Sequence, residues 1–110
     1  MAMTNDYLAV EPARENIDVL EGPTLLEFGT PWCGYCRAAQ PLLAFVMENH
    51  PAVRHIKIED GPGRRLGRSF RIKLWPAMIF LKNGNEVARL VRPESAAAID
   101  EALALIDGAV

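Results

Sequence analysis

Cysteine is scarce in this chain: two residues in 110, with only two others between them. So close a pair cannot lace a fold together as the disulfide frameworks of small secreted proteins do, which points to thiol chemistry as the reason for its presence. Long apolar runs are missing as well, and nothing approaches the roughly 18–20 consecutive residues that a membrane-spanning helix requires. Residues 1–6 lack the basic stretch followed by an apolar run that marks a secretory signal. Cytoplasm is therefore the expected compartment, although a periplasmic chain stripped of its leader would read the same way. Neither sign of charge dominates: 12 lysines and arginines face 14 acidic residues, for a formal net charge of −2. No global attraction to nucleic acid or to an anionic membrane follows. Aromatic residues are few, 7% of the chain, and they do not interleave with basic ones as on a single-strand binding platform. Internal repeats, low-complexity tracts and dividing linkers are also lacking.

What is present has an ordinary globular balance, 50% hydrophobic and 24% charged. A chain of this length can bury a core without metal or disulfide staples, so one domain over residues 1–110 is expected. Residues 7–10 read as a short strand, and Glu11-Pro12 then opens a helix to about Leu20, ended by Gly22-Pro23. Residues 24–28 are apolar on both alternating faces except at Glu27, which suits a central strand covered on both sides. Apolar residues recur at helical spacing over 34–49, and Pro41 is expected to kink that helix rather than end it. Residues 53–59 form a strand candidate, and Gly61-Pro62-Gly63 turns the chain into a short helix over 64–70. Two further strands, 77–82 and 86–91, flank Asn83-Gly84, a strong hairpin signal. Ile99, Ala102, Leu103 and Ile106 mark a closing amphipathic helix.

Alternation first and a hairpin last predict an α/β fold with a mixed sheet, parallel in its first part, and helices on both faces. Ligand chemistry in such sheets belongs at the carboxyl ends of the parallel strands. Trp32-Cys33-Gly34-Tyr35-Cys36 falls there, after a buried strand and at the start of a helix. The first thiol of such a pair meets unpaired amide groups and the positive end of the helix dipole, a setting that favours thiolate over thiol. Cys33 is the candidate nucleophile. Cys36, one turn on, is placed to attack a mixed disulfide formed at Cys33, as a resolving thiol does.

The same cysteines also satisfy a loose Cys2His2 spacing, with thirteen residues between Cys36 and His50 and four between His50 and His55. Geometry argues against zinc. A helix rising about 1.5 Å per residue carries His50 on the order of 20 Å from Cys36, far beyond a shared coordination sphere. His50 and His55 fall on a loop and a strand flank, apart from the cysteines, and no role is assigned to either.

Leu25-Leu26-Glu27-Phe28, Trp32-Cys33-Gly34-Tyr35-Cys36, Pro41, Lys57, Trp75-Pro76 and Lys82-Asn83-Gly84 follow one another in an order and spacing that resemble the thioredoxin family. The resemblance covers nearly all of the chain after the first twenty residues and implies a thioredoxin fold. It also implies that Pro76 follows a cis peptide bond, lies against the cysteines and has a neighbouring backbone that pairs with an extended substrate segment. The family has a buried aspartate beneath the second cysteine, near the lysine matching Lys57; Glu27 stands in its place. A carboxyl there is the general-base candidate for Cys36, the other readings being an ion pair with Lys57 or an edge residue reaching solvent.

Several positions depart from the pattern. Tyr35 replaces a proline between the cysteines, giving the Cys-Gly-Tyr-Cys seen in bacterial periplasmic disulfide isomerases. Its backbone N–H, which proline lacks, is expected to help stabilise the Cys33 thiolate. Leu74 and Arg92 stand where the family has small groove residues, Gly29 replaces its second active-site tryptophan, and Trp75 is bulkier than the usual aliphatic residue. Trp32 is expected to cover the dithiol. Arg64, Arg65, Arg68, Arg71 and Lys73 form a basic cluster, read as a solvated face.

The resemblance implies a protein thiol-disulfide oxidoreductase: Cys33 attacks, Cys36 resolves, Glu27 manages the proton, and Gly34 and Lys57 support the site. Trp32, Tyr35, Trp75, Pro76 and Arg92 would border the client. No cofactor and no metal are expected, and the partners are protein disulfides and a thiol reductant or reductase met by a monomer. The alternatives are a disulfide isomerase or oxidase, an iron-sulfur-bridged dimer, and a non-catalytic assembly module.

Overall fold

A computed structural model describes residues 3–108. Its elements in chain order are α1 (Arg14–Asp18), β1 (Pro23–Gly29), α2 (Gly34–Met47), β2 (Arg54–Glu59), α3 (Arg65–Ser69), β3 (Ala77–Lys82), β4 (Asn85–Val91) and α4 (Ala96–Ile106). The strands form one sheet in the order β2-β1-β3-β4. β1 runs parallel to β2 and antiparallel to β3, and β3 is antiparallel to β4. This is the mixed sheet with a closing hairpin that the pattern predicts.

Alternation along β1 and β3 divides the core between the two faces of the sheet. Leu25, Met78 and Phe80 join Leu43 and Val46 of α2 and Ile99 and Leu103 of α4 in one apolar cluster. Leu26, Phe28, Ile79 and Leu81 join Ile17, Leu66 and Phe70 on the other face, under α1 and α3. Every residue from Thr24 to Gly29 is buried, which accounts for the lack of a polar face in that stretch. The hairpin closes through Asn83 and Gly84 at φ 51° and 80°, the left-handed pair that Asn-Gly adopts with little strain. α2 continues through Pro41, so the proline does not end the helix.

Two expectations near the amino end are corrected. Residues 7–10 are not a strand. Leu8 N–H reaches Lys57 O at 3.0 Å, while just before this segment Thr4 N–H goes to a side chain, His55 Nδ1, at 2.9 Å, so no ladder develops along β2. The first helix is also much shorter than 11–20. Glu11 is drawn away to accept the Arg65 and Leu66 amides at 3.0 and 3.1 Å, and Ala13 is extended at the helix start. The Glu11 carboxylate thus serves the open end of α3 instead of beginning α1.

The far end of α2 is tied to α4 by His50, whose Nδ1 and Nε2 lie 2.6 Å from Asp107 Oδ2 and 2.7 Å from Asp100 Oδ1. Burial disfavours the charged ring, but the two aspartates outweigh it and raise the His50 pKa above its ordinary value. A histidine raised on folding adds stability that is complete below about 6.5 and is lost as pH rises through the folded value. His50→Gln is therefore expected to cost about 1 kcal/mol near pH 6, because Asp100 is half exposed, and less near pH 9. Urea unfolding of both proteins at the two pH values checks the sign.

Candidate active site

β1 delivers the chain through Thr30, Pro31 and Trp32 to Cys33, which caps the start of α2. Cys33 N–H bonds Thr30 O at 3.3 Å. Its Sγ accepts the Cys36 N–H at 3.2 Å, one of the orphan amides at a helix start. Both thiols are free, and they differ in access: Cys33 is 8% exposed and Cys36 is 1%. Burial, and then the hydrogen bond with Cys33, push the Cys36 thiol up to about 12, against a lowering contact from the Thr30 backbone. The amide that serves Cys33 belongs to Cys36. The expectation that Tyr35 N–H does so is corrected: Tyr35 contributes its ring, over which the Arg92 guanidinium lies at 4.0 Å.

The Trp75-Pro76 bond is cis, and Trp75 O lies 4.0 Å from Cys33 Sγ. Arg92 fastens this turn, its Nε donating to Trp75 O and its backbone N–H to Pro76 O, both at 2.9 Å. It does so from φ 50°, a conformation costly for a residue with a Cβ, so three attachments hold what a glycine would adopt freely. Trp75 Nε1 donates to Asp60 Oδ2 at 3.0 Å, and Trp32 meets the Trp75 ring edge to face at 5.7 Å. Trp32 and Tyr35 remain largely open to solvent. A cavity of about 540 Å³ lies beside Tyr35, bordered also by Leu42, Arg92 and Glu94. Gly34 leaves the space above the helix start open.

Beneath the dithiol, Glu27 is fully buried. Its Oε1 lies 2.8 Å from His55 Nε2, and its Oε2 accepts from Gln40 Nε2 at 2.7 Å. Thr4 N–H donates to His55 Nδ1, which must then be the unprotonated nitrogen, so Nε2 carries the proton and His55 is a neutral donor to Glu27. His55 therefore belongs to the site, contrary to the expectation that it stands apart. Lys57 does not pair with Glu27; its Nζ donates to Gln40 Oε1 at 3.2 Å and Asn5 O at 3.3 Å. Gln40 links all three groups, since its Nε2 also donates to Cys36 O at 2.9 Å. The loose Cys2His2 spacing brings no common centre together, because both nitrogens of each histidine have partners of their own.

Tyr7, His55, Gln40 and Asp60 are the residues of this neighbourhood that the sequence did not single out. His55 comes to the site through the sheet register: Leu25 pairs with His55 and Glu27 with Lys57, so both basic residues fall on the Glu27 face. The basic cluster remains along α3 and the turn after it, mostly exposed.

A thiol capping a helix at the carboxyl end of a parallel strand, a second thiol buried behind it and a cis-proline turn beside it make a site for thiol-disulfide exchange. The thioredoxin family model matches residues 8–104. The chain belongs to the thioredoxin family. It is a thiol-disulfide oxidoreductase by that membership. It is similar to thioredoxin from Chlamydia pneumoniae, 34% identical over 81 residues, which are 72% of this chain and 79% of that protein. For thioredoxin C-3 of Corynebacterium nephridii the identity is 31% over 62% of this chain, and the match spans about half of the relative, 47%. Among solved structures, reduced thioredoxin 2 from Pseudomonas aeruginosa PAO1 is 60% identical with a TM-score of 0.84, over 94% of this chain and 96% of that one. Among the described residues no helix is long and apolar enough to cross a membrane.

Proposed function

We propose that this member of the family reduces protein disulfides, with Cys33 as the attacking thiol and Cys36 as the resolving one. The observation that carries the reading is the asymmetry of the two sulfurs. Cys33 is the more exposed and takes the helix-start amide, whereas Cys36 is buried behind it and holds its proton tightly. In the first step the Cys33 thiolate attacks one client sulfur and the other leaves as thiolate. Cys36, on losing its proton, then attacks Cys33 Sγ. The second client thiolate departs and a Cys33–Cys36 disulfide remains, so two electrons have passed to the client. An external thiol reductant or a reductase returns them.

Glu27 takes the Cys36 proton in this scheme. Pro76 and Trp75 orient the client backbone, bordered by Trp32, Tyr35 and Arg92, while Gly34 keeps the approach open and Lys57 holds Gln40 beside Glu27. The protein would act as a monomer in the reducing cytoplasm and use no cofactor.

Redox poise separates a reductase from an isomerase or oxidase. Equilibration with glutathione is expected to place the dithiol near the about −270 mV typical of thioredoxin. A value near about −180 mV or higher would assign the protein to isomerase or oxidase work instead.

A further inference from the structure

Tyr7, expected in a strand, stands instead at the buried sulfur. A Cβ added to Gly29 would lie 2.5 Å from Cys36 Sγ and 3.0 Å from Tyr7 Oη. The thiol and the phenol hydroxyl thus meet against the bare Cα of Gly29, and both residues border a cavity of about 530 Å³ with Thr30, Gln40 and Lys57. The segment that carries Tyr7 is tied down on either side, by Thr4 N–H on His55 Nδ1 and by Leu8 N–H on Lys57 O. Lys57 Nζ lies over the ring, 4.5 Å from its centre. Burial first, and then the neighbouring Cys36 and Glu27, raise the Tyr7 pKa far above its ordinary value. Its hydroxyl is accordingly a fixed hydrogen-bond donor and not a proton acceptor.

We propose that the Tyr7 hydroxyl donates a hydrogen bond to Cys36 Sγ as that sulfur gains negative charge, and so speeds release of the client. The inference rests on the assignment of Cys36 as resolving thiol. A thiol sulfur accepts hydrogen bonds weakly and a thiolate strongly, so the contact strengthens as the attacking form appears. Tyr7 keeps its own proton throughout: the Cys36 proton leaves to the base, the new bond forms between Cys36 Sγ and Cys33 Sγ, and the bond from Cys33 to the client sulfur breaks. One charge-assisted hydrogen bond changes thiolate content by roughly ten- to a hundredfold. About half of that, on a logarithmic scale, is recovered because a more basic sulfur is a better nucleophile.

Tyr7→Phe keeps the ring on Lys57 and its shape beside Gly29 while removing only the donor. In single-turnover reduction of a model disulfide, the mixed disulfide at Cys33 is expected to form at the wild-type rate and to decay about three- to tenfold more slowly. The thermal midpoint should not move. Unslowed decay would overturn the proposal, and so would equal slowing of both phases, which would make Tyr7 a general structural support. Failure of the underlying assignment looks different, since Cys36→Ser with Tyr7 intact would then retain no client at all.

Discussion

Cys36→Ser is expected to abolish turnover and to leave client proteins covalently attached through Cys33, whereas Cys33→Ser should be inactive and retain nothing. The difference follows from the two sulfurs' surroundings. Cys33 can attack without the Cys36 thiol, because a serine at position 36 keeps the backbone N–H that Cys33 Sγ accepts and offers an O–H in place of the thiol's own hydrogen bond to Cys33. Removing the second thiol therefore spares the first step and eliminates the second. The serine is close to isosteric and sits in a pocket that already holds a small polar group, so the fold should survive. Non-reducing electrophoresis of each variant after exposure to oxidised client reads the outcome directly. Adducts on both variants, or on Cys33→Ser alone, would reverse or cancel the assignment of roles.

Much of this site could be read in the residues because its chemistry is local. The strand-to-helix placement of Cys33 and Cys36 follows from a run of apolar residues ending at Phe28 and a helical pattern beginning at Gly34. The hairpin follows from Asn83-Gly84 alone, since both residues take the left-handed backbone that the turn demands. The parts that escaped depend on groups far apart in the chain. Residues 7–10 carry strand-like side chains, yet the neighbouring Thr4 amide is taken by a histidine ring 51 positions away. Glu11 looks like the first turn of its own helix and instead serves α3. His55 became part of the site only through the β1/β2 register, which no local pattern specifies.

The departures from the family pattern also form connected sets. Gly29, where the family has a tryptophan, leaves room that Cys36 Sγ and Tyr7 Oη fill, and Trp75, bulkier than usual, finds its partner in Asp60. Arg92, where a small residue is usual, ties the Trp75 carbonyl and carries its charge over Tyr35, the residue that replaces proline. Side chains thus replace, around the dithiol, what backbone shape and small size provide in the family pattern. On the proposed reading a client would meet a surface of Trp32, Tyr35, Leu74 and Arg92, all at least partly open to solvent. Selectivity for clients should differ accordingly from that of a thioredoxin with the usual groove.

Glu27→Gln is expected to slow client release by about a hundredfold at neutral pH, within the 10² to 10⁴ usual for a general base, and to leave initial attack unchanged. The need for a base follows from the Cys36 thiol, held up to about 12 mainly by burial. In the mixed disulfide the contribution of the Cys33 thiol is gone, but the burial stays, so spontaneous ionisation at pH 7 remains unfavourable. Glu27 reaches Cys36 through Gln40, which donates to Glu27 Oε2 and to Cys36 O. Among the described residues no direct hydrogen bond joins the carboxylate to the thiol, so the proton is expected to cross by way of one water. That relay places the effect at the lower end of the range. Hydroxide replaces a missing base, and the defect of Glu27→Gln should therefore shrink as pH rises from 7 toward about 9. Glutamine also sets its own N–H group against that of Gln40, so Glu27→Asp is the necessary companion: it keeps the carboxyl and gives up one methylene of reach. Substantial recovery in Glu27→Asp with none in Glu27→Gln would identify proton transfer as the lost function. Equal defects in both, independent of pH, would show that Glu27 only holds His55 and Gln40 in place.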